Sequence, residues 1–367
     1  MGVAPRRLTL AAVLLASMLA LGVARAETGG SAPSGEAGRV GISTSTVWLS
    51  PAEGYAYLRR ARDAGITWAR EDFNWSEIEL RRGRFSWTLT DQLMRNAARL
   101  HIHILAIATY APFWATGHTD SDKYPPVNPA HYASFVAAVA DRYGAGGRFW
   151  SSNPRLVPAP LTAIELWNEP WLHDFWGPSP DPVAYTRLAR AAAVAVKARH
   201  PGITLIASAD IAQGDREDSP DWLAALLRAD PSFWRSTLVD AWSVHLYCGP
   251  EDPWDTESPP RTRFDRLLLS RDVARKARAD KPIWITEFGW VTDPSSPDAV
   301  SEEVQAQHEH DALARVSTEW RSFVRRSFVF TWTKPNGTFD DRYNLVRPDG
   351  SARPAWWAIQ TFIATGV

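Results

Sequence analysis

The sequence predicts an α/β protein built as a single (β/α)8 TIM barrel, eight parallel strands each followed by a helix. Three observations predict it. Eight short apolar runs, bounded by turn residues, alternate with eight amphipathic stretches, and such alternation argues for a parallel sheet with helices outside. The eight units occupy residues 39–367, a length that one barrel of this kind fills. The turn after the first run, GISTSTVWLSP, lacks the G-x-G-x-x-G of a doubly wound nucleotide-binding sheet.

The elements follow in order. Strands are expected at residues 39–43, 66–73, 102–109, 161–167, 204–209, 241–247, 282–288 and 327–332, where apolar residues cluster between turn signals. Ser50-Pro51 reads as a cap and first residue opening a helix to Asp63, and Thr90 as the cap of a helix to Leu100. Asn128-Pro129 opens a helix to Tyr143, and Asp181-Pro182 one to Arg199. The remaining helices are expected at 221–227, 263–279, 302–318 and 354–361. No linker or second domain is visible after residue 38.

Composition narrows the classes further. The chain has 367 residues, 40 basic and 41 acidic, for a net charge of −1. Nothing in that balance recruits nucleic acid or an anionic membrane. A lone cysteine, Cys248, excludes an intrachain disulfide and a multi-thiolate metal site. The excess lies in 19 tryptophans, which fill cores but also stack on flat apolar faces such as those of sugar rings. Residues 1–26 read as a secretory signal peptide, with Arg6-Arg7, an apolar run from Leu8 to Val23 and Ala24-Arg25-Ala26. Residues 27–38 read as a flexible Gly/Ser/Pro-rich leader. The expectation is a secreted or periplasmic bacterial protein, off the membrane once the signal is cleaved. Oligomeric state is open, with a monomer as the default.

In such barrels the reactive groups stand at the C-terminal ends of the strands. Those ends carry Arg70-Glu71-Asp72, Thr109-Tyr110, Trp167-Asn168-Glu169, Asp210, His245 with Tyr247, Thr286-Glu287 and Trp332. Asp210 or Glu71 alone reads as an ordinary loop charge. Glu169 and Glu287 together do not, because strands four and seven face each other across an eight-stranded ring. Two facing carboxylates are what glycoside hydrolysis requires: one protonates the leaving oxygen, the other attacks the anomeric carbon or activates water. No metal or cofactor is needed. His308-Glu309-His310 resembles a ligand cluster, but residues i and i+2 do not share a helix face. His101 and His103 share a strand face at the opposite end of the barrel and are expected to be a buried, hydrogen-bonded pair.

The motifs extend this reading. Glu165-Leu166-Trp167-Asn168-Glu169-Pro170 resembles the acid/base signature of clan A glycoside hydrolases, the retaining (β/α)8 glycosidases, and PIWITEFGW (282–290) resembles their nucleophile strand. Val244–Tyr247, Phe330–Trp332, residues 66–87 and residues 340–357 resemble other clan segments, most similar to families 39 and 5. The Ala108–Pro112 segment departs from family 5, which usually has a histidine there. The resemblance implies Glu169 as acid/base, Glu287 as nucleophile, Asn168 on the sugar 2-hydroxyl, and Tyr247 and Arg70 on the nucleophile. It also implies His245 lining the site and Trp332 beneath the sugar. Tyr110, Trp114, Trp171 and Trp290, with Trp75, Trp176 and Trp254, fall in or beside the loops of the same face and are candidate platforms for a carbohydrate chain, hence an endo-acting cleft. A catalytically silent carbohydrate-binding barrel is the alternative.

Overall fold

The computed structural model describes residues 38–210 and 221–367. The expected signal peptide and all but the last residue of the leader lie outside the described residues. Eight parallel strands close into one barrel in chain order: β1 (Val40–Ser43), β2 (Trp68–Asn74), β3 (His103–Thr109), β4 (Ala163–Leu166), β5 (Thr204–Ser208), β6 (Ala241–His245), β7 (Ile283–Phe288) and β8 (Val324–Val329). β8 pairs back onto β1, with Val40 beside Ser327. The principal helices are α1 (Pro51–Asp63), α2 (Thr88–Leu100), α3 (Pro129–Tyr143), α4 (Pro182–Lys197), α5 (Trp222–Ala229), α6 (Leu267–Lys276), α7 (Glu302–Thr318) and α8 (Pro354–Thr365). The sequence expectation of a (β/α)8 barrel is therefore met.

Local chemistry explains where the helices begin. Ser50 and Glu53 form a reciprocal capping box before α1, with Pro51 at its first position. Asn128 accepts from the Ala130 N–H at 3.0 Å, and Asp181 accepts from Val183 and Ala184 at 2.9 Å. Thr90 is not a cap: α2 starts two residues earlier, and the Thr90 hydroxyl pairs with the Tyr143 hydroxyl at 2.7 Å. The stretch expected as one helix from Arg263 begins as a short 3-10 turn, Phe264–Arg266, before α6.

The last strand departs most from expectation. It was expected at 327–332 and lies at 324–329. Arg325 and Arg326 make its first half look unlike a strand. The Arg326 guanidinium in fact lies 4.0 Å from the Trp68 ring centroid and 5.2 Å from that of Trp284, so its charge is carried on aromatic faces. The expected buried histidine pair is also corrected. His101 and His103 are both exposed, and the His103 ring stacks on Trp68 at 4.9 Å.

Strand parity divides the interior into two levels. Trp68, Leu105, Ala163, Ile206, Ala241, Trp284 and Phe328, one from each of β2 to β8, form an apolar plug. Gly41 completes the ring on β1, where a Cβ would stand only 2.5 Å from the Phe328 ring. Two residues further along, the same side of the strand is polar on most strands: Ser43, Arg70, Glu165, Ser208, Ser243 and Thr286, all buried. The chemistry sits directly above a dry floor.

Candidate active site

Arg70 organises the polar level. Its Nε donates to Glu165 at 2.7 Å, one terminal nitrogen to Glu287 at 2.5 Å and the other to Asn168 at 2.8 Å. One guanidinium thus joins β2, the end of β4 and β7. Burial opposes its charge, but Glu165 and Glu287 outweigh that and raise its pKa. Glu165 is also held by the Thr286 hydroxyl at 2.9 Å. It points into the barrel with the buried partner its strand parity demanded.

Glu287 collects donors for its charged form. Beyond Arg70, the Tyr247 hydroxyl donates to it at 2.5 Å. Burial raises its pKa, and His245, Arg70 and Tyr247 offset only part of that rise, to which Glu169 adds. Glu169 has fewer such partners. Burial pushes its carboxyl up to about 7, with Arg70 opposing and Glu165 adding to the rise. His245 Nδ1 lies 2.8 Å from Glu169 Oε1 and 3.3 Å from Glu287 Oε2. Burial lowers the His245 pKa and so favours the neutral ring. Facing side-chain atoms of Glu169, His245 and Glu287 all lie within 4.8 Å of one another. The Glu169 and Glu287 carboxylates therefore converge.

The backbone at this mouth is unusual. Tyr110, Trp167 and Glu169 have φ of 49°, 72° and 42°, in the left-handed region that favours glycine. Each such residue costs on the order of 1–3 kcal/mol and persists only where its surroundings impose it. The three cluster at the ends of β3 and β4, where Glu169 is aimed.

A cleft of about 550 Å³ opens over the pair, within the range of ligand pockets. Arg70, Tyr110, Asn168, Glu169, Tyr247 and Glu287 line it. His245 sits behind, against both carboxylates. The tryptophan platforms are placed differently. Trp332 is fully buried, stacked on Trp356 at 3.7 Å, and does not line the cleft. Trp290 is fully buried and donates to the Glu251 carbonyl; Trp114 donates to the Glu79 carbonyl. Trp171 packs edge-on against His245 at 5.3 Å. Trp75 and Trp176 are buried as well, while Trp254 is 42% exposed. The aromatic lining comes instead from Tyr110, Phe175, Tyr247, Phe330 and Tyr343.

Three further carboxylates line the cleft: Asp72, which the sequence places at the end of the second run without a role, and Asp174 and Asp340, which it does not single out. Asp72 follows Arg70 at the spacing that shares a strand face, a signal that was present. Asp174 lies in a loop and Asp340 in a short 3-10 turn, Phe339–Arg342, and neither carries such a periodicity. Cys248 is buried, and burial pushes its thiol up to about 12, the environment of an inert thiol. Among the described residues, the side chains of metal-ligand type that converge are Glu169, His245 and Glu287, not His308, Glu309 and His310. A cation held there would face the Arg70 guanidinium already bound to Glu287, so the set does not fit a metal centre.

Comparisons with known proteins agree with the barrel fold. The barrel superposes on a family 39 glycoside hydrolase from the gut symbiont Bacteroides cellulosilyticus WH2 with a TM-score of 0.65 at 20% identity, covering 90% of this chain and 64% of that one. An exo-beta-1,4-mannosidase from Opitutaceae bacterium strain TAV5 gives 0.59 at 16% identity, covering 89% and 59%. An endoglucanase from Pseudomonas stutzeri gives 0.57 at 14% identity, covering 90% and 95%. The chain thus spans less than two thirds of the family 39 and mannosidase chains. No curated protein matches the sequence. The family model "Glycosyl hydrolase catalytic core" matches residues 167–357, from the end of β4 into α8. That match spans more than half of the sequence and contains both Glu169 and Glu287: the chain belongs to the glycosyl hydrolase catalytic core family.

Proposed function

We propose that the protein is an exported, endo-acting retaining glycosidase that cleaves β-linked polysaccharides. In the first step the Glu287 carboxylate attacks the anomeric carbon, and Glu169 gives its proton to the departing oxygen. The glycosidic bond breaks and a glycosyl ester forms. In the second step Glu169 takes a proton from water, the water oxygen attacks the anomeric carbon, and Glu287 leaves as carboxylate. One oxygen of each carboxylate lies within 4.8 Å of the other, and that convergence carries this reading. Retention uses carboxyl groups about 5–5.5 Å apart, whereas inversion needs about 6.5–9.5 Å to admit a water.

The environments support the division of roles. Arg70 and Tyr247 both donate to Glu287, which favours the anion a nucleophile must be. Burial keeps Glu169 protonated to about pH 7, as an acid must be. Esterification of Glu287 removes its charge, and Glu169 then becomes the stronger acid and can serve as base for water. Asp72, Asp174 and Asp340 add negative charge to the cleft, which favours neutral glycans over polyuronates. The endoglucanase and mannosidase neighbours, together with an intracellular xylanase from Thermoanaerobacterium saccharolyticum of similar fold (TM-score 0.56, 12% identity), make glucan, mannan and xylan the first polymers to try. Residues 1–26 would direct export.

The test is a panel of these three polysaccharides and polygalacturonate, with the wild type, Glu287→Ala and Glu169→Ala. Turnover of a neutral glycan is expected. It should fall by roughly 10⁴-fold in Glu287→Ala while binding persists. Azide should partly restore cleavage of an activated aryl β-glycoside by Glu169→Ala, yielding the β-azide. An α-azide, or a Glu287→Ala enzyme as active as wild type, would overturn the assignment. A wild type that binds glycans and cleaves none would make the protein a binding barrel.

A further inference from the structure

Two buried charges beside the site take no part in the two steps above. Asp210 and Arg266 are each 1% exposed, and neither lines the cleft. Burying such a pair is costly, and an apolar pair of similar volume often serves stability as well. Their contacts suggest another role.

The sheet loses its regular register where they act. β5 ends at Ser208, and the last regular bond on that side runs from the Ala209 N–H to the Ser243 carbonyl. The next donor on β6, the His245 N–H, meets the Asp210 carboxylate at 2.9 Å in place of a strand carbonyl. On the other side, β6 and β7 slip by one residue after Val244, which brings His245 level with Glu287. The carbonyls of His245 and Tyr247 both accept from Arg266, through its two terminal nitrogens. Its Nε lies 3.8 Å from Asp210. The pair thus grips, from backbone atoms alone, the segment that carries both His245 and Tyr247.

We infer that Asp210 and Arg266 are positioning residues: through the backbone of residues 245–247 they fix how His245 and Tyr247 meet Glu169 and Glu287, and so where the catalytic proton resides. The inference rests on the roles proposed for the two glutamates. A shift of about 1 Å in such a constellation is enough to change rate by about 10²-fold. Arg70, Glu165, Glu287, Asp174, Asp340, Asp210, Tyr110 and Tyr343 are the other charged or titratable groups around Glu169, and the pair's hydrogen bonds and ion pair reach none of them except its own Asp210.

The experiment compares Asp210→Ala, Asp210→Asn, Arg266→Met and Arg266→Lys in the full chain, with two readouts. The first is kcat and KM against pH on whichever panel polysaccharide the wild type cleaves. The second is NMR titration of the His245 imidazole, which needs no turnover. Asp210→Ala and Arg266→Met should lower kcat by about 10²-fold and change KM by no more than about threefold. Water entering beside Glu169 should move the alkaline limb about one pH unit towards acid, and the His245 titration should shift. Asp210→Asn keeps an acceptor and Arg266→Lys keeps a donor, so both should recover most of the loss. A fall in rate with unmoved pH limbs and an unchanged His245 titration would reduce the pair to a structural role and overturn the inference. Should the two truncations not fold, a partial shift in the conservative variants decides it in the same way. If the wild type cleaves no glycan, the glycosidase reading fails separately, and the His245 titration still decides the clamp.

Discussion

The two ends of the barrel are made by the same eight strands and obey different physics. At the strand starts, Trp284 packs against Trp68 and Phe328, and Arg326 lies over both tryptophans. The rings there stabilise one another and carry the guanidinium, although burial and the neighbouring Arg39 lower the Arg326 pKa to about 10. Two residues further along, Arg70 holds Glu165 and Glu287, the carboxyls of Glu169 and Glu287 face each other, and three residues sit in the left-handed region. Burial raises the pKa of both glutamates. The floor supplies stability, and the mouth consumes part of it to hold charges in a productive arrangement.

The most disruptive substitution should be Arg70→Met. It strands Glu165 and Glu287 in the interior, with an expected loss of about 3–5 kcal/mol in stability. The fraction that folds should also be slower by about 10³-fold, because the proposed nucleophile, Glu287, loses its cation. Denaturation curves and kcat on the same samples check both. If stability falls and kcat does not, the guanidinium belongs to the floor's logic rather than the mouth's. Next comes Trp284→Ala, which removes a large side chain from the plug at a cost on the order of 3 kcal/mol. Its folded fraction should keep the wild-type pH profile. A displaced profile would show that the two levels are coupled.

The smallest effect sharpens the comparison most. Glu169 is raised to about 7 in the folded state, above its unfolded value of about 4.3. The folded protein therefore binds more protons between those values, and stability declines as pH rises through them. Glu169→Gln removes this term. It should raise Tm at pH 8 and leave it nearly unchanged at pH 4, with activity lost at both. Equal Tm shifts at the two pH values would mean that Glu169 is not held protonated by its surroundings.

Much of this contrast is legible in the sequence. Alternating apolar runs and capping pairs such as Ser50-Pro51 located most elements to within a few residues. Glu169 and Glu287 stood out because a charge directly after an apolar strand needs a reason. Arg326 hid the start of β8, since a guanidinium lying on two tryptophans cannot be foreseen from a window of sequence. The tryptophans misled for the same reason. A Trp beside the site serves as filler or as platform, and only tertiary contacts such as Trp332 on Trp356 distinguish the two. Tyr343 and Phe330, which do line the cleft, gave no local sign of it.

The apolar plug has one further consequence for the proposed reaction. Because Trp68, Trp284 and Phe328 block the lower end of the bore, the bore formed by the described residues opens at the mouth alone. The severed sugar leaves through the opening by which its replacement enters. Water and a second carbohydrate thus compete for the same vacated place opposite the glycosyl ester. At high acceptor concentration the enzyme should build new linkages as well as cut old ones.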